Sequence, residues 1–386
     1  MVIQGGRRER MDLSLSGEQE ALQRSIRSLC EDRFSTAAMR ACEDDPTAAS
    51  AIYESLYTLG LGGILIGEED GGLGLGMTEM AVAQAELGRA LVPLLFTEST
   101  VLAATLLADS TDETARGVLA TLATGEKRAT CAWQESRRAP LEGPQATRLT
   151  TAGGAARLSG EKCFVPEVRL SDCLLVHASD DAGSPALCLV ERGAAGIAIS
   201  DQPNMADLAM ADLRFTDTPV LAVAAQGDAA LAAWDRALIT MKIAIAAQAI
   251  GGAEKALTMA RDYAATRQQF GQPIGAFQSI AHYLADAAVN VEGARMLVYR
   301  AASAADDGDP AGTWADMAKM KACQVYRDVS ALSIQIHGGI GFTLEADPQL
   351  YFRRAKHLQL MYGDPLDLQE RAGHALIAGT HKVLEG

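Results

Sequence analysis

Along the first third of the chain, apolar positions recur three and four residues apart, the spacing of one helical face. In LSGEQEALQRSIRSLCEDRF, Leu22, Ile26 and Leu29 fall on that face, and Ser16 with Gln19 three residues on forms the S-x-x-Q pattern of a capping box. MTEMAVAQAELGRAL and TESTVLAATLL predict two further helices separated by Pro93, and the glycine-dense LGLGGILIGEEDGGLGLG reads as a loop between the first helices. From Glu126 to Val220 the period changes. DCLLVHAS, LCLVERG and DLRFTDTPV are short β-prone runs punctuated by Gly, Pro, Asp and Ser, which predicts a small domain of antiparallel strands. Beyond Leu221 the helical period returns. No proline lies between Pro219 and Pro273, which permits one long Ala-rich helix. Phe277, Ile280, Leu284, Ala288, Val291, Ala294 and Leu297 keep the spacing of a buried stripe, Pro310 breaks it, and a helix from about Trp314 ends at Gly338–Gly339. The layout is α+β and mainly α. A flexible leader (1–12) precedes an N-terminal helical domain (13–125), a middle β-domain (126–220) and a C-terminal helical bundle (221–386).

Composition narrows the function. A formal net charge of −15 argues against a nucleic-acid surface, which needs clustered Lys and Arg. Seven scattered cysteines without a CxxC pair fit free thiols in a reducing compartment, so the expected location is cytoplasmic. No HExxH occurs, which leaves a metal site unsupported, and no apolar run reaches the length of a membrane span. GGLGLG at Gly71–Gly76 lacks the G-x-G-x-x-G spacing of a Rossmann turn.

Two segments carry the strongest chemical signal: RQQFGQPIGAFQSIAHYLAD (Arg267–Asp286) and IQIHGGIGFTLEADPQLYFRRAK (Ile334–Lys356). A glycine pair at a helix end lets a backbone approach a dinucleotide closely, and an arginine neutralises a pyrophosphate with forked hydrogen bonds. Taken singly, Gly338–Gly339 is a helix stop, His337 a packing residue, and Arg353, Arg354 and Lys356 a solvated helix face. In this order, together with LGLGGILIGEEDGGLG and AELGRALVP near the start, the chain resembles the acyl-CoA dehydrogenase family from about Leu13 onward. The resemblance implies a C-terminal four-helix bundle, FAD as cofactor, and introduction of a double bond between the α and β carbons of an acyl-CoA. It further implies that Arg267, Phe270, Gln278, Gln335, Gly338 and Gly339 contact FAD. The ADP half so held belongs to the cofactor of the neighbouring subunit. Electrons would pass to an electron-transfer flavoprotein.

The chain also departs from that pattern. In most of the family the base is a Glu directly after an aromatic residue; in LMYGDPLDLQ that register holds Gly363, after Tyr362. A second branch places its Glu thirty residues before the Gly of the xFG motif, which here is Met241. Neither takes a proton. Asp364 is the one carboxylate beside the expected place, although Gly363-Asp364-Pro365 is also ordinary turn chemistry. The TEPxAGS-like loop that bonds the flavin ring corresponds to CAWQESRRAPLEG. The Trp-Ile-Thr beside the ring appears as Cys163-Phe164-Val165, leaving Phe164 to stack near a flavin.

Residues that serve the chain's own flavin ring and base are thus eroded, while those serving a neighbour's ADP half are intact. This asymmetry, and a YGDP segment similar to small-subunit members of the family, lead to the expectation of a heteromer, a dimer of heterodimers whose sister subunit supplies the Glu. Bulky acyl-CoA substrates, steroid side chains among them, are one setting for such pairs. The competing readings are a self-sufficient homotetramer with Asp364 as base, as in a nitroalkane-oxidising branch, and a non-catalytic subunit that only completes a partner's FAD site.

Overall fold

The computed structural model describes residues 13–136 and 143–379. The leader and the middle of the CAWQESRRAPLEG segment therefore lie outside the described residues.

Helix α1 (Gly17–Arg33) starts at the expected capping box: Ser16 accepts from the Gln19 amide, and the Gln19 side chain accepts from the Ser16 amide at 2.8 Å. Then follow α2 (Thr36–Asp44), α3 (Ala49–Thr58) and α4 (Met77–Arg89). The glycine-dense loop between α3 and α4 carries only two 3₁₀ turns, Leu61–Gly63 and Glu68–Asp70. Past Pro93 one continuous rod is built from α5 (Leu95–Thr97), a π-helical stretch (Glu98–Ala103) and α6 (Ala104–Leu107). Helix α7 (Glu113–Thr124) is capped by Asp112 and stopped by Gly125 in the left-handed region.

The β-layer holds β1 (Ala129–Ala132), β2 (Arg148–Ala152), β3 (Ala155–Pro166), β4 (Cys173–Ser179), β5 (Pro185–Glu191), β6 (Ile197–Asp201), β7 (Met210–Pro219) and β8 (Ala222–Gln226). Their order is β6-β7-β3-β2-β4-β5-β8, with β1 beside β4. The ladders are mostly antiparallel, as the runs suggested, but β1 and β2 each meet β4 in parallel, so the sheet is mixed. Strand β4 is central and buried on both faces. Leu175 joins the core shared with the helices, and Leu174 and Val176 join the sheet's second core, as the two-residue period requires.

The C-terminal bundle is α8 (Asp228–Thr266), α9 (Gln278–Asp306), α10 (Gly312–His337) and α11 (Pro348–Leu360), with α12 (Pro365–Ile377) laid against α10. The proline-free stretch is a single 39-residue helix, α8. It also packs tightly on α4: a Cβ on Gly251 would lie 1.7 Å from the Ala85 carbonyl oxygen, and one on Gly88 would lie 2.1 Å from that of Gln248. The predicted stripe of α9 is covered only in part. Val291 and Ala294 are buried, but Ala288 is exposed and Ala287 takes its place inside. Elsewhere on the first half of α9, Tyr283 and Val289 are 61% and 74% exposed among the described residues.

Candidate functional site

Two regions carry the residues singled out from sequence. The first is the end of the bundle where α8 and α10 stop and α9 begins. Arg267 caps α8, and its carbonyl accepts from the Ile274 amide at 2.9 Å. That bond closes a tight hairpin of β9 (Gln268–Gln269) and β10 (Gln272–Pro273). Phe270 (φ 53°) and Gly271 (φ 81°) turn it. Phe270 is 92% exposed and meets Phe277 edge to face at 6.1 Å. Gln278 is the first residue of α9, and Gln335 lies in the last turn of α10. Gly338 ends α10 at φ 66°, ψ −144°, a conformation open to glycine, and a Cβ on Gly338 or Gly339 would meet nothing within 4 Å. A small apolar cluster of Ala260, Ala264 and Ile336, with Ile274, Ile280 and Leu284 against it, binds these three segments together.

Arg267, Phe270, Gln278, Gln335, Gly338 and Gly339 are therefore neighbouring and exposed. The Arg267 guanidinium has no hydrogen bond or ion pair among the described residues. A bare glycine turn beside an uncommitted guanidinium fits the phosphates of a dinucleotide.

The second region lies inside, between the β-layer and the bundle. Trp234, Leu238 and Met241 recur at helical spacing on α8 and are all buried. Opposite them stand Trp133, just past β1, and Tyr362, in the turn between α11 and α12. Ring centroids lie 5.9 Å apart for Trp133–Trp234, 5.8 Å for Trp133–Tyr362 and 5.1 Å for His177–Trp234. Met241 and Gly363, the two register positions of the family base, are both buried, Gly363 directly after Tyr362 and Met241 on the same helix as Trp234. Aromatic rings and methionine pack the space, and Trp133, Trp234, Met241 and Tyr362 are all under 9% exposed. Neither base position carries a carboxylate: one is Met241 and the other Gly363. Phe164, the remaining candidate here, is half-buried in β3 at φ 56°, and its amide donates to Asp212 Oδ1 at 3.2 Å.

Polar groups hold this packing from behind. Lys162, fully buried, donates to the Trp133 carbonyl (3.1 Å), Glu135 Oε1 (2.8 Å) and Gln145 Oε1 (2.7 Å), while burial lowers its ammonium to about 8. Lys319 donates to the carbonyls of Gln359 and Gly363 and is likewise lowered to about 8 by burial. Glu98, from the π-helical stretch, accepts from the Tyr362 hydroxyl. Burial outweighs that bond and raises the carboxyl to about 8, so Glu98 is largely protonated at neutral pH. Asp364 is half-buried and serves as the N-cap of α12, its Oδ1 accepting from the Leu366 amide at 2.9 Å.

The basic run after the glycines is not a solvated face. Arg354 is 8% exposed and donates to the Val92 carbonyl at 2.7 Å. Arg353 pairs with Glu43 (2.8 Å) and Asp207, joining α2 and the β-layer to α11. Nearby, Glu167 accepts from the Tyr53 hydroxyl and the Leu95 amide, both at 2.6 Å. Sequence reading missed the Trp133–Trp234–Tyr362 cluster and Glu98, which are far apart along the chain. The local signal was an acidic residue inside the apolar run FTESTVLAATLL, a position where a charge is costly.

Among the described residues no group of three or more His, Cys, Asp or Glu could hold a metal ion, and no helix is long and apolar enough to cross a membrane.

Residues 16–126 match the acyl-CoA dehydrogenase N-terminal domain and residues 232–365 the acyl-CoA dehydrogenase C-terminal domain. The acryloyl-CoA reductase (NADH) of Anaerotignum propionicum is 30% identical over 94% of this chain and 95% of that protein. Among solved structures, the Tcur3481-Tcur3483 steroid ACAD is 29% identical, with a TM-score of 0.85 over 94% of this chain and 98% of that one. The ChsE4-ChsE5 complex from Mycobacterium tuberculosis is 26% identical, with a TM-score of 0.85 over 95% and 99%. Full-length matches of this kind, together with the shared order of helices, sheet and bundle, place the chain in the acyl-CoA dehydrogenase family.

Proposed function

We propose that this chain is the FAD-lending subunit of a heteromeric acyl-CoA dehydrogenase, cytoplasmic, in which a sister subunit supplies the catalytic Glu. One contrast carries the reading. Both base positions, Met241 and Gly363, lie in an interior filled by Trp133, Trp234 and Tyr362, while Arg267, Gln278, Gln335, Gly338 and Gly339 stand exposed together at the bundle end. A chain built this way presents a grip for an ADP moiety and carries no carboxylate at its own base positions.

FAD, when bound, supplies the hydride acceptor of α,β-dehydrogenation. This chain's part would be to neutralise the pyrophosphate through Arg267, to offer the Gly338–Gly339 amides, and to present Phe270 as an apolar contact. The α-proton passes to the sister subunit's carboxylate, and electrons leave through an electron-transfer flavoprotein. Two of the similar structures are of paired chains by their names, one of them a steroid ACAD, which supports a heteromer acting on a bulky acyl-CoA. The competing base, Asp364, is committed to capping α12.

Purifying the chain through a tag from its own host, then measuring native mass, chain composition and flavin absorbance, tests the proposal. A heteromer with about half a flavin per chain is expected, since a shared cofactor stabilises the assembled form. A homotetramer with about one flavin per chain would refute it and return attention to Asp364.

A further inference from the structure

The Arg267 end of α8 and the Gly338–Gly339 end of α10 must keep a fixed spacing if both are to meet one dinucleotide. The fully buried part of the apolar floor between them is small, Ala260 and Ala264 from α8 and Ile336 from α10, with Ile274, Ile280, Leu284 and Leu332 packed around it. Small alanine side chains specify spacing weakly, because few atoms resist a slide. Above that floor, Tyr263 on α8 lays its ring on the ring of His337, the last residue of α10. The centroids are 4.3 Å apart and the planes differ by 26°.

Each ring is tied to one half of the site. The Arg267 amide donates to the Tyr263 carbonyl at 2.8 Å, so Tyr263 and Arg267 share the terminal turn of α8. On α10, His337 Nδ1 lies 2.8 Å from the Ser333 carbonyl oxygen and donates to it, which fixes the plane of the imidazole. The turn after the glycines folds back on the same residue: a Cβ on Gly341 would lie 2.7 Å from the Ile334 carbonyl oxygen and 2.9 Å from His337 Cβ. The glycine turn is therefore packed against the backbone and Cβ of the residue that carries the ring. Both rings are half-buried, with one side packed and the other towards the surface.

We infer that Tyr263 and His337 are the positioning pair of the FAD-lending end: their stack sets the distance between the Arg267 guanidinium and the Gly338–Gly339 turn. The inference rests on reading this end as the grip for a neighbour's FAD. Neither residue need touch the cofactor. Their part is to spare the bound state the cost of ordering two helix ends, the usual gain from preorganisation.

The test uses the complex purified through a tag on this chain, stripped of flavin and titrated with FAD while flavin fluorescence is followed. Native mass is recorded for each variant. Tyr263→Phe keeps the stack and is expected to bind FAD within about twofold of the parent, whereas Tyr263→Leu binds about tenfold more weakly at unchanged native mass, the scale of one lost aromatic pair. A Tyr263→Leu complex that binds as the parent does, while Arg267→Ala weakens FAD, overturns the inference and leaves the grip standing. Equal losses in the Phe and Leu variants also overturn it, because the hydroxyl and not the stack would then be at work. If Arg267→Ala leaves FAD affinity unchanged, the reading of this end as a grip is itself refuted. Should Tyr263→Leu fail to assemble, His337→Phe and His337→Leu decide together: tighter FAD binding by the Phe variant, which retains a stacking ring, than by the Leu variant supports the pair, and equal affinity of the two overturns it.

Discussion

Glu98 offers the sharpest quantitative test of how the interior is built. Its carboxyl is fully buried under Tyr362, and burial raises it from the ordinary 4.5 to about 8. A group whose folded value lies above its unfolded value stabilises fully below the unfolded value, and that contribution is lost as pH rises through the folded one. Between pH 4.5 and 8 the unfolded chain ionises Glu98 freely while the folded chain must keep it protonated. At 1.36 kcal/mol per pH unit, this costs the folded state about 3 kcal/mol at pH 7. Glu98→Gln removes the titration and keeps a carbonyl to accept from Tyr362. The new amide brings donors into an apolar pocket, which offsets about 1–3 kcal/mol, but that offset does not depend on pH. The slope is therefore the decisive quantity. Urea midpoints of parent and variant, measured at one protein concentration from pH 5 to pH 8, should diverge by the equivalent of about 3 kcal/mol in favour of Gln as pH rises. Parallel curves across that range would refute the burial argument. They would mean that Glu98 is ionised and solvated, and that the space beneath Tyr362 is open.

Asp364→Asn should leave turnover of the complex unchanged and cost little stability, since Asn caps helices as well as Asp; Asp364→Ala should lower stability by about 1 kcal/mol. A large loss of turnover in the Asn variant with midpoints preserved would make Asp364 a proton acceptor. On the acid side, burial holds His357 at about 3 and His177 at about 4, below the ordinary 6.5. Both contribute stability that is present above pH 6.5 and lost as pH falls towards the folded values, at up to about 1.4 kcal/mol per pH unit each, so His357→Gln should flatten the denaturation midpoint between pH 6.5 and pH 4. Gly251→Ala drives a methyl into the Ala85 backbone and should destabilise by about 3 kcal/mol or more, with loss of soluble protein as the readout, whereas Gly293→Ala, where a Cβ meets nothing, should be neutral or slightly stabilising.

What could be read from the chain and what could not divide along the range of the interactions. The capping box at Ser16 and Gln19, the proline-free α8 and the glycine stop of α10 are decided within a few residues, and each stands where its local signal put it. The turn chemistry of Gly363-Asp364-Pro365 is of the same kind, and Asp364 does cap α12. The parallel partners of β4 depend on which strands meet, not on the residues within any one of them. Burial of Arg354 depends on a carbonyl at Val92, remote in sequence, so the exposed face suggested by its basic neighbours was a local inference about a tertiary fact.

The same distinction explains the two regions of interest. At the bundle end the motif residues lie next to helix termini, so the positions of Arg267 and Gly338 at the ends of α8 and α10 could be read from local signals. The interior cluster draws Glu98, Trp133, Trp234 and Tyr362 from four segments that only the packing of the β-layer on the bundle brings together. Sequence could show that the two register positions hold Met241 and Gly363; it could not show which aromatic side chains pack nearby. Nor could it show that the stripe of α9 shifts by one residue where it packs, with Ala287 buried and Ala288 exposed. A stripe written every three or four residues states that a face is to be buried, and says nothing about whether the covering surface belongs to the same chain. In α9 the pattern states which positions favour burial, and the fold of this chain decides which of them, Val291 and Ala294 among them, obtain it.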